Sequence, residues 1–429
     1  MKITQLTHSP SRSLASRWGL GVALGMIAVL ATACPAPPPE SAPTTTNPPV
    51  GETLPAVVVT SGATHSCALF EGGTVRCWGS NAVGQLGNGT TIDTTTPVDV
   101  VGISNATQVA AGAITTCALL DDPAPPVGGS VVCWGYGGMG ALGNGSYLNS
   151  SLPVQVYGIQ DAVQIAVGGQ HACALRAAGT IRCWGNKSPG QLGNFADAVP
   201  PFTPVDVIGI ADAQTVSAGA FQTCASRTGA WIKCWGLNLD GQLGSLPGAN
   251  SVVPVEVPGL DTPIQVDASR FDNDYGGSHA CAVDNGGAVE CWGENLYGEV
   301  GDGTRDNTDR PPTQVAGVLN AYKVTTGRDH TCSLSAAPTA GVRCWGSNGN
   351  GQLGVPKNPL DFGSWIYTPS LVQGIDGVTQ VSAGSQHTCA RLSGGAVKCW
   401  GDGFYGQLGN GQSADSFAPV SVVGIGSGS

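Results

Sequence analysis

The sequence predicts an all-β fold built from seven copies of a four-stranded unit. Three observations predict it. Only 11% of the 429 residues are Asp, Glu, Lys or Arg while 65 are Gly and 29 are Pro, which favours many short strands joined by turns over long helices or a Rossmann-type sheet. Fourteen of the fifteen Cys fall into close pairs, and the second of each pair opens a Cys-Trp-Gly triplet. Those triplets recur at intervals of 56, 50, 51, 57, 53 and 55 residues from Cys77 to Cys399, the period of a solenoid, propeller or array.

The chain begins with a polar, basic stretch over residues 1–18, followed by an apolar run of 13 from Gly19 to Ala31. That run is too short to span a membrane comfortably and reads, over 1–33, as a secretion signal. Small residues then precede Cys34, an order that resembles the lipobox of bacterial lipoproteins, in which the Cys is lipidated and becomes the mature N-terminus. Leu is usual three places before that Cys, and here Ala31 holds the place with Leu30 one earlier. Plain cleavage or an uncleaved anchor are the alternatives to lipidation. Residues 34–54 read as an extended tether, Pro- and Thr-rich over Pro35 to Pro49 with one charge there, Glu40. The seven repeats occupy 55–425, and 426–429 is a tail.

The formal charge is −11, or −14 once Lys2, Arg12 and Arg17 leave with residues 1–33. A binder of nucleic-acid phosphates normally carries the opposite sign, so no nucleic-acid partner is expected.

Within a unit the order is a Val-rich segment, Gly, often His-x-Cys-Ala-Leu, a Gly turn, x-Cys-Trp-Gly, a loop ending in Gly-Gln-Leu-Gly, and Pro-Val-x-Val. Four strands fit that string. In the first unit Glu71-Gly72-Gly73 is a hairpin loop, and folding about Gly72 sets Cys67 opposite Cys77. Opposed residues of an antiparallel pair lie about 4.5–5.5 Å apart at Cα, within reach of a disulfide. Seven cross-strand disulfides are therefore expected: Cys67–Cys77, Cys117–Cys133, Cys173–Cys183, Cys224–Cys234, Cys281–Cys291, Cys332–Cys344 and Cys389–Cys399. Longer hairpin tips at Pro123–Pro126 and Pro338-Thr339 absorb the two wider spacings. Zinc on each Cys pair and its His is the rival, weakened because export leads to an oxidising compartment. The unpaired Cys is Cys34.

His-x-Cys-Ala-Leu, Cys-Trp-Gly, Asn, Gly-Gln-Leu-Gly and Pro-Val-x-Val resemble the regulator of chromosome condensation repeat family, best at Gly62–Gly89 and Gly384–Gly411. The resemblance covers about residues 55–425. It implies a seven-bladed β-propeller of four-stranded antiparallel blades around a channel, with Trp78, Trp134, Trp184, Trp235, Trp292, Trp345 and Trp400 packing between blades. The family includes a nuclear exchange factor for a small GTPase that binds chromatin, plant light sensors built on Trp clusters, and secreted β-lactamase inhibitors. Export and acidity make a small GTPase an unlikely partner here, and the secreted inhibitors are the nearer analogy.

His65, His171, His279, His330 and His387 share one repeat position, where the other units carry Thr115 and Gln222. Replacement by Thr and Gln marks a structural hydrogen-bonding residue rather than a metal ring. Gly135 to Gly140 spells G-x-G-x-x-G by letter, but it precedes no helix and reads as a turn. Asp272-Asn273-Asp274 in the fifth-unit insert lacks the register and bidentate Glu of a calcium loop. No cofactor or metal is expected, and no nucleophile elbow or metalloprotease motif is present.

The position before Gly-Gln-Leu-Gly varies freely: Val83, Met139, Pro189, Asp240, Tyr297, Asn350 and Tyr405. Repeat equivalence places these on one face, where Tyr136, Leu296 and Phe404 add aromatic and apolar area of the kind that anchors partners. Tyr136, Met139, Leu296, Tyr297, Phe404 and Tyr405, joined by Phe271 and Tyr275 of the insert or by the Asp361–Tyr367 loop, form the expected partner-binding surface. The leading expectation is a non-catalytic propeller, lipid-anchored in the cell envelope or secreted, that recognises an extracellular or envelope protein or glycan. An inhibitor of an envelope enzyme is a special case. The alternative is a polysaccharide or peptide hydrolase or lyase, with Asp272, Asp274 and Asp361 as candidate carboxylates.

Overall fold

The computed structural model describes residues 54–122, 128–195, 202–270, 278–306, 311–338, 340–356 and 364–426. Residues 50–429 form one compact unit. Its described residues fold as a closed ring of seven four-stranded antiparallel sheets, each made of four strands consecutive in sequence. Blade one comprises Ala56–Ser61, His65–Phe70, Val75–Gly79 and Thr94–Asp99. The innermost strands of the other blades are Ala106–Ala111, Ala162–Val167, Thr215–Ala218, Pro263–Ala268, Ala321–Thr326 and Val378–Ala383.

All seven expected Cys pairs are directly opposed on the second and third strands and bonded. Their Cα atoms are 4.0–4.1 Å apart, closer than the expected separation. Among the described residues no group of three or more His, Cys, Asp or Glu could hold a metal ion.

The repeated motifs follow from how one blade seats the next. Each sheet presents two apolar faces, and seven buried clusters fill the gaps between neighbours. One joins Leu69, Val75 and Leu86 of blade one to Val109, Ala118 and Trp134 of blade two. The seven triplet Trp side chains are completely buried, one per cluster, each removing enough apolar area to contribute about 4–6 kcal/mol. In Gly-Gln-Leu-Gly, the Gln85 carbonyl accepts the Trp134 indole N–H at 3.0 Å, Leu86 enters the core, and a Cβ on Gly87 would strike that indole at 2.7 Å. The Gly of Cys-Trp-Gly takes φ of +97 to +111°, where the third strand bulges against the fourth and the backbone closes on the start of the second.

The recurrent His also serves the junctions, as a bridge between blades rather than within one. His65 Nε2 lies 2.8 Å from Thr116 Oγ1 of the next blade, and that hydroxyl donates to the Gln85 carbonyl at 2.9 Å. The hydroxyl's proton is thus committed, so His65 Nε2 is the donor, and burial keeps the ring neutral with Nδ1 unprotonated. His171–Thr223, His279–Thr331, His330–Thr388 and His387–Ser66 repeat the arrangement. At the blade-four position Gln222 instead accepts from Ser278 Oγ at 2.6 Å.

A second set of ties lines the axial channel and has no counterpart among the sequence expectations. Gln108, Gln164, Gln265 and Gln380 each bond both the N–H and the C=O of one residue on the next blade's inner strand, namely Ile165, Val216, Val324 and Val59. Two places along the same strand, Thr60, Ser217, Asp267, Thr325 and Ser382 accept the N–H of Ala111, Ala268, Thr326, Ala383 and Ser61 on the next blade. Every one of the seven junctions carries at least one such tie.

Ring closure needs no exchanged strand. The Val57–Val59 segment is innermost in blade one and the Pro419–Val423 segment belongs to the outer edge of blade seven, so the two do not pair. Closure comes instead from a parallel bridge between Leu54 and Ile425, the His387–Ser66 contact, and both inner ties through Gln380 and Ser382.

Candidate functional site

An up-and-down meander puts the connections between strands one and two, and between strands three and four, at the same end of every blade. The long connections that carry Gly-Gln-Leu-Gly therefore share one face of the ring. They are latched, not loose: Gly89, Gly145, Gly303 and Gly411 donate to the carbonyls of Ser151, Phe202, Tyr367 and Thr95 on the following blade, at 2.9–3.0 Å. Inside the loop Asn81 accepts the Leu86 N–H at 3.0 Å and donates to the Thr90 and Ile92 carbonyls at 3.1 Å. Asn238, Asn295 and Asn348 accept equivalently.

This frame displays apolar side chains. Of twenty large hydrophobic residues exposed among the described residues, ten lie on the connections between third and fourth strands. They include Leu296, Met139, Phe404 and Tyr405. Tyr136 and Tyr297 are half-buried. Met139 adopts φ +56° inside a single 3-10 turn, Gly138–Gly140, which confirms that the G-x-G-x-x-G letters open no helix.

The structure gathers these residues into separate groups around the ring. Phe404 and Tyr405 meet edge to face with centroids 5.0 Å apart. Tyr297 tilts against Trp365 at 5.9 Å, and the Arg305 guanidinium covers the Trp365 ring at 5.2 Å. Tyr147 and Phe202 form a third group at 4.0 Å. Trp365 belongs to the Asp361–Tyr367 loop that the sequence offers as an addition to this surface, whereas Arg305, Tyr147 and Phe202 are not in the sequence-derived set, because they lie outside the repeat pattern and only the fold brings them together. Tyr136 and Met139 stand on blade two, in none of the three groups. Phe271, Tyr275, Asp272, Asp274 and Asp361 lie outside the described residues, as does Cys34.

Electrostatics distinguish the blade-five group. Burial raises the Tyr297 hydroxyl pKa, helped by the negative Asp329 and Glu294 and opposed by Arg328. Glu299 stands where five other units have Gln, and burial followed by the nearby Glu294 holds it well above the ordinary carboxylate range. Its Oε2 accepts the Tyr297 N–H at 2.9 Å, the bond Gln85, Gln242, Gln352 and Gln407 make in their own blades. A protonated Glu is thus the isostere of the repeat's Gln. In blade seven burial raises Asp402, close to Asp415.

The RCC1-like domain, as a family pattern, matches residues 17–361. The chain belongs to the RCC1-like family. Single RCC1 repeats also match residues 342–391 and 378–407. The RCC1-like chain is 32% identical to the ultraviolet-B receptor UVR8 of Arabidopsis thaliana over 380 residues, 86% of this chain and 82% of the receptor. It is 28% identical to the human E3 ubiquitin-protein ligase HERC2 over 79% of this chain but only 7% of that protein. Among solved structures, human WBSCR16 superposes with a TM-score of 0.70 at 19% identity, covering 82% of this chain and 94% of that one. Yeast RCC1 (Prp20), solved bound to Kap60, gives 0.69 at 20%, covering 86% and 85%. These likenesses show a shared propeller.

Proposed function

We propose that this RCC1-like propeller is a non-catalytic binding module, exported and held in the cell envelope through Cys34, that docks a protein partner on the face carrying the Gly-Gln-Leu-Gly loops. The carrying observation is the concentration there of half of the large hydrophobic residues exposed among the described residues, on loops of which four latch to the next blade. Prepositioned aromatic and apolar side chains lose little entropy on binding, which is what an interface anchor needs. Two observations support export: fourteen Cys are paired at bonding distance, as an oxidising compartment allows, and Cys34 alone is left over after an apolar run. The relatives point the same way in kind. Prp20p of Saccharomyces cerevisiae, which shares the propeller, has binding properties toward Gsp1p and histones, so a ring of this fold can serve as a protein-binding surface.

The test is affinity capture from envelope extract with the 50–429 fragment, set against a Leu296→Ser/Phe404→Ser double variant. Both side chains are exposed, at 49% and 68%, so the fold tolerates the change. A protein held by the native fragment and lost, about tenfold or more in affinity, by the variant supports the reading. Equal retention by both, or retention of a glycan and no protein, overturns it.

A further inference from the structure

The axial channel widens into a cavity of about 200 Å³ walled by the inner strands. Its wall is regular at one level: Val58, Gln108, Gln164, Thr215, Gln265, Lys323 and Gln380 occupy the same strand position in blades one to seven. Four of these are the Gln that grip the next blade. Lys323 breaks the series with a charge.

Lys323 is half-buried on the wall of the channel space; it feels the Asp267 charge but makes no hydrogen bond or ion pair with any described residue. The carboxylate among the described wall residues is Asp267, and it is fully engaged. Its Oδ1 takes Ser217 Oγ at 3.1 Å and Arg270 Nη2 at 3.3 Å, and its Oδ2 takes the Thr326 N–H at 2.8 Å and Oγ1 at 3.1 Å. The described wall thus carries two cations, Lys323 and Arg270, against one anion, in a chain of formal charge −11. A peptide donor lies alongside. In blade six Val324 gives its N–H to Gln265, whereas the equivalent Val381 of blade seven faces Lys323, which has no acceptor to offer.

We propose that this cavity binds a small oxyanion of the phosphate or sulfate class, held by the Lys323 ammonium and the Val381 N–H, with Arg270 adding positive potential. Enclosure strengthens the pairing, because a desolvated ammonium gains more from an anion than an exposed one does. Burial lowers the Lys323 pKa, a cost that an anion offsets. The site is independent of which partner docks on the outer face.

The experiment is a titration of the full chain with inorganic phosphate, matched against chloride at constant ionic strength, reading the unfolding midpoint and the heat of binding. Phosphate, but not chloride, is expected to raise the midpoint with saturation. Lys323→Arg keeps the response, whereas Lys323→Gln weakens binding about tenfold or more. Lys323→Gln remains folded and more stable at baseline, because its amide can grip Val381 as Gln265 grips Val324. No saturable shift in the native chain, or the same shift in Lys323→Gln, overturns the proposal.

Discussion

His387 Nε2 sits 2.8 Å from Ser66 Oγ, joining the seventh blade to the first across 321 residues of sequence. The same hydroxyl donates to the Gln407 carbonyl at 3.1 Å, and the Trp78 indole donates to that carbonyl at 2.9 Å. Ring closure is thus chemically the same joint as the interior junctions. It needs a proton on Nε2, and burial keeps the imidazole neutral, because a second proton would put a charge and an unpartnered N–H at the buried Nδ1.

Acid should loosen the ring. Burial lowers His65 and His279 to about 4 and His171, His330 and His387 to about 3, from 6.5. Each folded-state value is depressed, so the unfolded chain binds more protons below pH ~6.5 and stability falls as pH drops from there toward the folded values. The slope is about 1.4 kcal/mol per pH unit for each His. Denaturant unfolding at pH 7 and pH 5, with proton uptake measured calorimetrically, checks this. His→Gln changes, which copy Gln222, should flatten the slope.

Glu299 should act with the opposite sign. Its folded-state pKa is raised, so its contribution is complete below about pH 4.5 and is lost as pH rises through the folded value. Glu299→Gln keeps the bond to the Tyr297 N–H and removes the ionisation. It should therefore stabilise the ring by about 1–3 kcal/mol at pH 8 and change little at pH 4. Equal effects at both values would show that Glu299 is not held neutral by burial.

The repeat, the Cys pairing and the seats of the Trp were legible because they recur in one chain at one spacing. The His position was legible as structural, but its partner was not, since Thr116 lies 51 residues from His65 and nothing local marks it. The inner ties were hidden for a stronger reason. Gln164 binds the backbone of Val216, and a backbone partner leaves no trace in residue identity. Lys323 is the one charged member of the column running from Val58 to Gln380, but the sequence alone did not single it out, because the column's place on the channel wall is set by the fold. The Tyr297–Trp365–Arg305 group was legible only in part: Tyr297 and the Asp361–Tyr367 segment were, but Arg305 and the contact among the three were not, because they come from unaligned parts of two units.

The seven disulfides should contribute nearly equally. Six close loops of 10 or 12 residues and one closes 16. Loop entropy grows only logarithmically, so Cys117–Cys133 should exceed the others by only about 0.4 kcal/mol. Replacing each pair in turn by Ala and measuring urea midpoints tests this. Full reduction should lower the midpoint while the strand signal in circular dichroism persists, since the inter-blade clusters do not depend on the bonds.

The inner ties make a position-specific prediction. Among the described residues Gln164 is the sole inner tie between blades three and four, because Ala166 offers no acceptor at the second level. Gln380 shares its junction with Ser382. Gln164→Ala should cost about 1–2 kcal/mol, as two hydrogen bonds exchanged partly for water in the channel, and should speed hydrogen exchange at the Val216 amide. Gln380→Ala should speed exchange at Val59 and leave Ser61 protected, because Ser61 donates to Ser382 Oγ at 3.0 Å instead. Adding Ser382→Ala should then release Ser61 as well, with a loss larger than the sum of the single changes, since the first and last blades meet at this junction without the direct chain connection that links the other neighbours. Additive losses would mean that the Leu54–Ile425 bridge and the His387–Ser66 contact already close the ring without the ties.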